Sequence, residues 1–441
     1  MKNHISTFGN STLKYFIFAF FVGFGLLFFG CKSKEEVQPN QPPQLFNVTA
    51  KLLANEQDLI LTWTKSIDPD GDIVTYSVVY TDTLAKNLSD TTFIIKNLPF
   101  ETEVKGNVIA KDTKGSKTIS NFSIKTGKGY ILIPDINFEK ALIQLKIDDV
   151  QDGRVLRTSI LKVTSLSVSS SPTNQNNTYD KIKDLTGIEE FINLKSLKCS
   201  HNSLTNLDVS KNTNLTVIEC YSNQLTSLDV SKNVNLAAIE CSSNKLTNLD
   251  ISKNVALNEL GCYSNQLTSL DVSKNVNLTI LICISNQLTS LDISKNMNLT
   301  ILWVASNQLT NLDVSKNTKL TGVICSSNQL TNLDVSKNTN LVDLTCPLNQ
   351  LTNLDVSKNT KLTKLICDSN QLVSLEVDKS VNLTDLACTS NQLTSLDVNK
   401  NTNLTYLRCQ NNKIQTICIN NLNQANFDWI KDPTATYKVC P

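Results

Sequence analysis

The repeat that decides the fold reads Leu215-Thr-Val-Ile218-Glu-Cys220-Tyr-Ser-Asn223-Gln-Leu225-Thr-Ser-Leu228-Asp-Val230-Ser-Lys-Asn233. It holds two halves of the form Leu-x-x-Leu-x-Φ-x-x-Asn, where Φ is Cys in the first half and Val or Ile in the second. The cysteine recurs every 21 residues, and Val304 takes its place once. A fixed period of this length indicates a solenoid, in which one short unit stacks on copies of itself. The ten cysteines of this ladder are Cys199, Cys220, Cys241, Cys262, Cys283, Cys325, Cys346, Cys367, Cys388 and Cys409.

The residue types of the unit predict which side chains are buried. The leucines and the Φ residue point inward, because each coil can bury them only against the next coil. The Asn of each half stands where the chain turns a corner, and its amide can bond backbone groups that no strand partner reaches. We therefore expect one asparagine ladder through Asn202 and Asn223, and a second through Asn212 and Asn233 that is broken at Ser380.

The unit resembles the leucine-rich repeat, in a short form found in many bacterial surface proteins and related to the internalin-like type. Eleven such units run from Leu194 to about Ile414. The resemblance implies a mainly β solenoid (residues 194–414) that binds a partner on its concave face. It also implies a role in adhesion, host contact or cell–cell interaction.

The ladder cysteines are interpreted as small buried apolar residues with free thiols. Side chains of parallel strands in register are poorly angled for disulfides, and Val304 replaces one cysteine without disturbing the period. Cys418 and Cys440 lie outside the ladder, in a C-terminal cap (residues 415–441) with Phe427, Trp429 and Tyr437. A disulfide between these two cysteines would clamp that cap.

The N-terminus predicts export. Basic residues precede an apolar run that ends at Phe29-Gly30-Cys31, and residues 1–30 resemble a bacterial lipoprotein signal with Cys31 as the lipid-bearing residue. An uncleaved membrane anchor is the alternative. Residues 31–44 are expected to be a tether, in which Lys34-Glu35-Glu36 resembles short signals for the outer cell surface or is an ordinary linker. We expect an outer-membrane lipoprotein that faces the cell exterior.

Residues 45–126 alternate apolar and polar side chains between turns, which is typical of a β-sandwich. The pattern resembles a fibronectin type III domain at Trp63, Leu98, Thr102, Val108 and Ala110, although Val104 stands where that family places a tyrosine. Acidic residues cluster in the turn 68–72, at Asp68, Asp70 and Asp72. They could bind Ca²⁺, but Pro69 and Gly71 indicate a turn first, so no metal site is expected.

Residues 127–193 are interpreted as the N-terminal cap of the solenoid. A helix is predicted to start at Pro134-Asp135, with Phe138, Ala141, Leu142 and Leu145 on one face. The residues that follow look like irregular first turns of the solenoid, and residues 172–177 look like a surface loop. Such a cap would cover the apolar end of the first coil.

The two halves of the repeat differ in variability. The second half is nearly constant and presents columns of Asp and Lys, which favours a solvated structural face, with a repetitive charged ligand as the alternative. The Cys half varies, and its outward positions become apolar in the middle of the solenoid around Trp303. The candidate partner-binding residues are Tyr221, Tyr263, Ile280, Ile282, Ile284, Ile301, Trp303, Ala305 and Ile324. Burial of these side chains under a loop or cap is the alternative.

Charge and composition narrow the function. A net charge of +1 gives no reason to expect nucleic acid. Of the two histidines, only His201 follows the signal, and no set of nucleophile, base and acid is visible. We therefore predict a non-enzymatic surface protein without cofactors, which binds a protein partner and reaches the membrane through its lipid. The alternative is a lipoprotein that binds polysaccharide for a nutrient-uptake system.

Overall fold

The computed structural model describes residues 37–170, 180–425 and 429–440. The predicted signal, Cys31, the predicted loop 172–177 and Phe427 lie outside the described residues. The chain divides into two compact units, one from Met1–Ala50, Leu61–Phe93 and Lys105–Ser123, the other from Lys51–Ile60, Ile94–Val104 and Ile124–Pro441. None of the helices in the described part of the chain is long and apolar enough to cross a bilayer.

Seven strands come first and form two sheets. Their bounds are β1 (Val48–Leu52), β2 (Leu59–Trp63), β3 (Thr75–Tyr80), β4 (Asp82–Leu88), β5 (Thr92–Ile95), β6 (Glu103–Lys111) and β7 (Lys117–Lys125). The strand orders are β1-β2-β5 and β4-β3-β6-β7. Alternation places Leu59, Leu61 and Trp63 inward, and the Trp63 ring lies 5.5 Å from that of Tyr76.

The end of the predicted tether makes hydrogen bonds with the first unit. The Asn40 amide nitrogen donates to Asp112 Oδ2 at 2.9 Å, and the Gln41 N–H donates to Asp70 Oδ2 at 2.7 Å. The segment from Asn40 onward is therefore bound to the turns of the first unit. The Asn40 side chain, which composition alone assigns to a linker, finds a buried partner in Asp112.

The acidic turn is held by its own backbone. Asp68 Oδ1 accepts hydrogen bonds from the N–H groups of Asp70 and Asp72, at 2.9 and 3.3 Å. Each of the three aspartates offers one oxygen within 4.8 Å of the others. Asp72 also pairs with the Lys114 ammonium at 3.0 Å. A lysine thus already supplies a positive charge beside the cluster, and we assign the turn a structural role.

The N-terminal cap contains β8 (Tyr130–Leu132), α1 (Ile136–Gln144), β9 (Arg154–Leu156), α2 (Arg157–Ile160) and β10 (Ser165–Ser167), followed by a single 3-10 turn at Ile188–Glu190. Asp135 caps α1, because its Oδ1 accepts from the N–H of Asn137 and Phe138. Phe138, Ala141 and Leu142 are buried as predicted. The prediction was wrong for Leu145, which ends the helix and is 42% exposed.

The solenoid is built on a parallel sheet of 12 strands, in the order β10 to β20 and then β22. Each coil contributes one strand of three residues. After β10, the strands of this sheet are β11 (Ser196–Lys198), β12 (Val217–Glu219), β13 (Ala238–Glu240), β14 (Glu259–Gly261), β15 (Ile280–Ile282), β16 (Ile301–Trp303), β17 (Gly322–Ile324), β18 (Asp343–Thr345), β19 (Lys364–Ile366), β20 (Asp385–Ala387) and β22 (Tyr406–Arg408). Three more strands are β21 (Ser395–Asp397), β23 (Thr416–Ile419) and β24 (Thr436–Val439). Strands β21, β23 and β24 form a separate small sheet.

Both asparagine ladders form. In the first, Asn223 Nδ2 donates to the carbonyls of Cys220 and Cys199, both at 3.0 Å, and its Oδ1 accepts from the N–H of Leu204 at 3.0 Å. In the second, Asn233 Nδ2 donates to two carbonyls of the preceding coil, at 2.9 Å each. These amides satisfy backbone groups that the one-strand coils leave unpaired.

The core is continuous from the N-terminal cap to the C-terminal one. All ten ladder cysteines are buried with free thiols. Cys418 and Cys440 are joined by a disulfide with a Cα–Cα distance of 5.4 Å, which ties β23 to the residue after β24. Trp429 is buried beside Tyr437 and closes the end of the core.

Candidate binding surface

The outward side chains of the 12-stranded sheet form one exposed surface, which we call the sheet face. In nearly every strand of the solenoid the middle residue is buried and the two flanking residues point outward. Because the strands pair in register at a shift of 21 residues, equivalent positions line up in columns. Neighbouring members of a column are about 4.8 Å apart.

An apolar patch occupies the middle of the sheet face. Ile282 pairs with Trp303, and Trp303 pairs with Ile324. Ile280 pairs with Ile301 in the adjacent column. These five residues, which we call the apolar patch, are all half-buried, so each still presents part of its side chain to solvent. The structure brings together five of the nine predicted binding residues here, with Ile284 at the margin.

Three other predicted binding residues lie outside the apolar patch. Ala305 is only 7% exposed, so it does not contribute to the exposed surface as expected. Tyr263 is 36% exposed and Tyr221 is half-buried, and both lie on coils before the patch. Tyr221 lines a depression that it shares with Ile280 and Ile282 of the patch.

Two glycines on the sheet face were missed by sequence reasoning, which considered only side chains that protrude. Gly322 follows Ile301 in its column, and a Cβ there would lie 3.1 Å from Ile301 Cδ1. A Cβ on Gly261 would overlap the carboxylate of Glu240, which lies over this glycine. A glycine inside a strand marks such a close approach. A depression of about 340 Å³ results around Gly261, lined by Tyr221, Glu240, Glu259, Ile280 and Ile282 among others.

Ion pairs neutralise some of the charges on the sheet face. Lys198 pairs with Glu219 at 2.8 Å, and Lys364 pairs with Asp343 at 3.3 Å. Glu240 and Glu259 have no ion pair with a basic side chain in the described part of the chain. The depression beside the apolar patch is therefore negative.

The ladder thiols are chemically quiet. Burial raises the pKa of Cys220 and of Cys283 to about 12. Thiols of this kind stay protonated at neutral pH, so they are unsuited to nucleophilic attack and to metal binding.

His201 packs edge-on against Tyr221, with ring centroids 4.9 Å apart. That contact gives the histidine a packing role.

The constant half of the repeat has a structural role, because its aspartates accept hydrogen bonds from the backbone of the same turn. Asp229 Oδ1 accepts from the N–H of Ser231 at 2.9 Å, and the equivalent bond recurs from coil to coil. These bonds lower the pKa of Asp229 and of its equivalents. The Asp column thus fixes a turn in each coil, a reason for its constancy that the sequence pattern alone did not reveal.

Known structures place the chain in a family. The functional domain of InlJ from Listeria monocytogenes, which includes a cysteine ladder, is 34% identical to this chain, covers 70% of each chain and has a TM-score of 0.59. This chain belongs to the internalin-like leucine-rich-repeat family. A leucine-rich-repeat protein of Leptospira interrogans is 25% identical, with 57% of this chain and 69% of that chain covered and a TM-score of 0.51. The internalin inlF of Listeria monocytogenes is 19% identical, with 65% and 95% covered and a TM-score of 0.44.

No protein-family profile and no curated protein matches the chain. For this internalin-like protein the predicted fold class, a mainly β leucine-rich-repeat solenoid after a small β-sandwich and a partly helical cap, is confirmed as a mainly β solenoid preceded by small β-sheets. Internalin-like leucine-rich-repeat proteins are generally interaction modules without enzymatic activity, because a solenoid offers a long surface rather than an enclosed site.

Proposed function

We propose that this protein binds a protein partner through the apolar patch around Trp303 and acts in adhesion. The observation that carries the proposal is the contiguity of five large apolar side chains on an outward face that elsewhere mixes charged residues with isolated or smaller apolar ones. Exposed apolar patches of this kind usually mark interaction sites. A tryptophan surrounded by a polar rim is a typical energetic centre of such a site.

The scaffold supports the same proposal. Backbone hydrogen bonds and two asparagine ladders hold the strands of the sheet in place. The patch lies on these strands and not on loops. A rigid patch loses little conformational entropy on binding, which favours affinity. The rim offers Thr345, Lys364 and Asp343 for polar contacts.

The cellular setting is also a proposal. The apolar run before Gly30-Cys31 supports a lipoprotein with the lipid on Cys31, and the following Lys34-Glu35-Glu36 supports export to the outer surface. A fibronectin type III-like domain would then hold the solenoid away from the membrane. Protease treatment of intact cells tests this, with an antibody against the repeats as the readout. Loss of the repeats while a periplasmic control protein survives is expected. Survival of the repeats until the outer membrane is opened would contradict the proposed role in adhesion.

Binding can be tested by cell adhesion. Beads coated with the protein should attach to target cells or to a layer of the same bacterium. The Trp303→Thr variant should reduce attachment strongly, because it removes the aromatic ring at the centre of the patch. It should still fold, because other coils already carry small side chains such as Thr345 at this position. Arg408→Thr, in the same column but beyond the patch and its rim, is the matched control. Equal attachment by wild type and Trp303→Thr would contradict the proposal.

The second candidate is a glycan-binding accessory lipoprotein, favoured by the flat ring of Trp303, on which a sugar could stack. Of the three tryptophans, Trp63 and Trp429 are buried and Trp303 is half-exposed. Soluble polysaccharide should therefore quench mainly the Trp303 emission. Quenching that disappears in Trp303→Thr would favour this candidate over a protein partner.

A further inference from the structure

A negative notch adjoins the apolar patch on the sheet face. We infer that the protein partner presents a lysine or arginine side chain, set beside apolar side chains, to this acidic notch, formed by Glu240 and Glu259 over Gly261. The inference rests on the proposed function, since it specifies the chemistry of the partner at the same surface. Its evidence is the shape of the notch, its unpaired charge and its continuity with the patch.

The shape comes from Gly261. In its column the glycine lies between Glu240 and Ile282, so one side chain is missing from the row. The Glu240 carboxylate leans into that gap, where a Cβ would overlap it. Its Oε1 accepts a hydrogen bond from the Ser242 N–H at 3.1 Å, which fixes the carboxylate over the glycine. Glu259 is on the same strand as Gly261, in the neighbouring column beside Ile280.

The charge of the notch is not balanced within the described chain. Glu219, one coil earlier, is paired with Lys198, and Asp343 beyond the patch is paired with Lys364. Glu240 and Glu259 lack such an ion pair among the described residues, although they stand between these two neutralised sites. Two carboxylates on adjacent strands repel each other. A cation from a partner would relieve that repulsion and gain charge-assisted hydrogen bonds.

Aromatic side chains complete the surroundings of the notch. Tyr221 lines the depression, and Tyr263 is the most exposed aromatic residue of the sheet face. Burial, followed by the charge of Glu240, raises the pKa of Tyr263, which agrees with a negative potential at this place. Aromatic faces attract ammonium and guanidinium groups. The notch thus combines the two features that proteins use to hold Lys and Arg.

The position of the notch defines the partner further. Ile280 and Ile282 line the depression and also belong to the apolar patch. A bound segment that reaches both features must carry its basic residue next to apolar ones. The same charge disfavours an anionic polysaccharide or a nucleic acid at this surface.

A selection experiment tests the inference on the folded protein. Short random peptides are displayed and selected on three proteins: the wild type, Glu240→Gln/Glu259→Gln and Trp303→Thr. Glu376→Gln removes one exposed carboxylate outside the sheet face and serves as the control for charge removal away from the notch. Circular dichroism of each variant verifies that the solenoid is intact. The affinity of the selected peptides is then measured at low and high ionic strength.

We expect wild-type peptides to be enriched in Lys or Arg next to aliphatic or aromatic residues. Their affinity should fall about tenfold in Glu240→Gln/Glu259→Gln, decrease with salt, and stay unchanged in Glu376→Gln. Peptides that need Trp303 but show no basic enrichment, or that bind the double variant equally well, would overturn the inference and leave the proposed function standing. Peptides indifferent to Trp303→Thr would overturn the proposed function, and the inference with it.

Discussion

Asn223 Nδ2 donates a hydrogen bond to the carbonyl oxygen of Cys199, which lies 24 residues earlier in the chain, at 3.0 Å. The same amide also bonds Cys220 of its own coil, at 3.0 Å. One side chain therefore ties two consecutive coils at the corner after their strands. The relationship recurs along the solenoid, as between Asn307 and Cys283. It explains how strands of three residues make a stable sheet.

Asn223→Ala should destabilise the protein strongly. It removes one of the two side-chain donors to each of two carbonyls, and it leaves the buried Leu204 N–H without its acceptor. We expect a loss of about 2–4 kcal/mol in the free energy of unfolding, measured with urea. Asn235→Ala is the control, because Asn235 is exposed and makes one hydrogen bond at 3.3 Å. Equal losses in the two variants would contradict the role given to the ladder.

Leu348→Asn should stabilise the protein. Leu348 has φ +56°, at a position where most coils place Ser, as at Ser327 with φ +53°. A left-handed backbone costs a leucine about 1–2 kcal/mol, whereas Asn tolerates it. Since Leu348 is 57% exposed, little burial is lost. Differential scanning calorimetry should show a higher Tm. Val373→Asn, at a site 58% exposed, should not raise the Tm. A gain in both variants would mean that backbone strain is not the cause.

The ladder thiols should resist alkylation in the folded protein. Burial raises the pKa of Cys325 to about 12 and encloses its sulfur, so neither thiolate nor access is available. Ten thiols should react with maleimide only after unfolding, and raising the pH to about 9, the ordinary thiol value, should not accelerate labelling of the native state. Rapid native labelling would show that the coils open.

The Asp column should make stability sensitive to acid. Hydrogen bonds from Ser231 lower the pKa of Asp229 below its usual 3.8, and bonds from the equivalent serines act likewise on Asp250 and Asp271. A lowered folded-state pKa stabilises the protein above the unfolded value, and that stability is lost as the pH falls through the folded one. The Tm should therefore drop as the pH falls below about 4. A variant with these three residues replaced by Asn keeps an acceptor that does not titrate, and should lose less. An equal drop would assign the acid effect to other groups.

Much of the fold is predictable because the repeat states each requirement many times. The inward Cys, the corner Asn and their period recur, so the register of the sheet and both ladders follow from the spacing. Single features were less predictable. The predicted helix face is buried at Phe138 but exposed at Leu145, because the helix ends just before Leu145. The apolar residues predicted around Trp303 line up in register on one face, yet Ala305 is buried.

By itself, the sequence determined the period, the inward and outward sides of each coil and the place of the apolar positions, since these depend on local spacing and on the need to bury Leu and Cys. Only the tertiary structure decided how side chains from different coils share space. The Glu240 carboxylate lies over Gly261, and Glu219 is neutralised by Lys198. Side-chain direction and charge pairing between coils depend on three-dimensional contacts, which a repeat pattern does not specify.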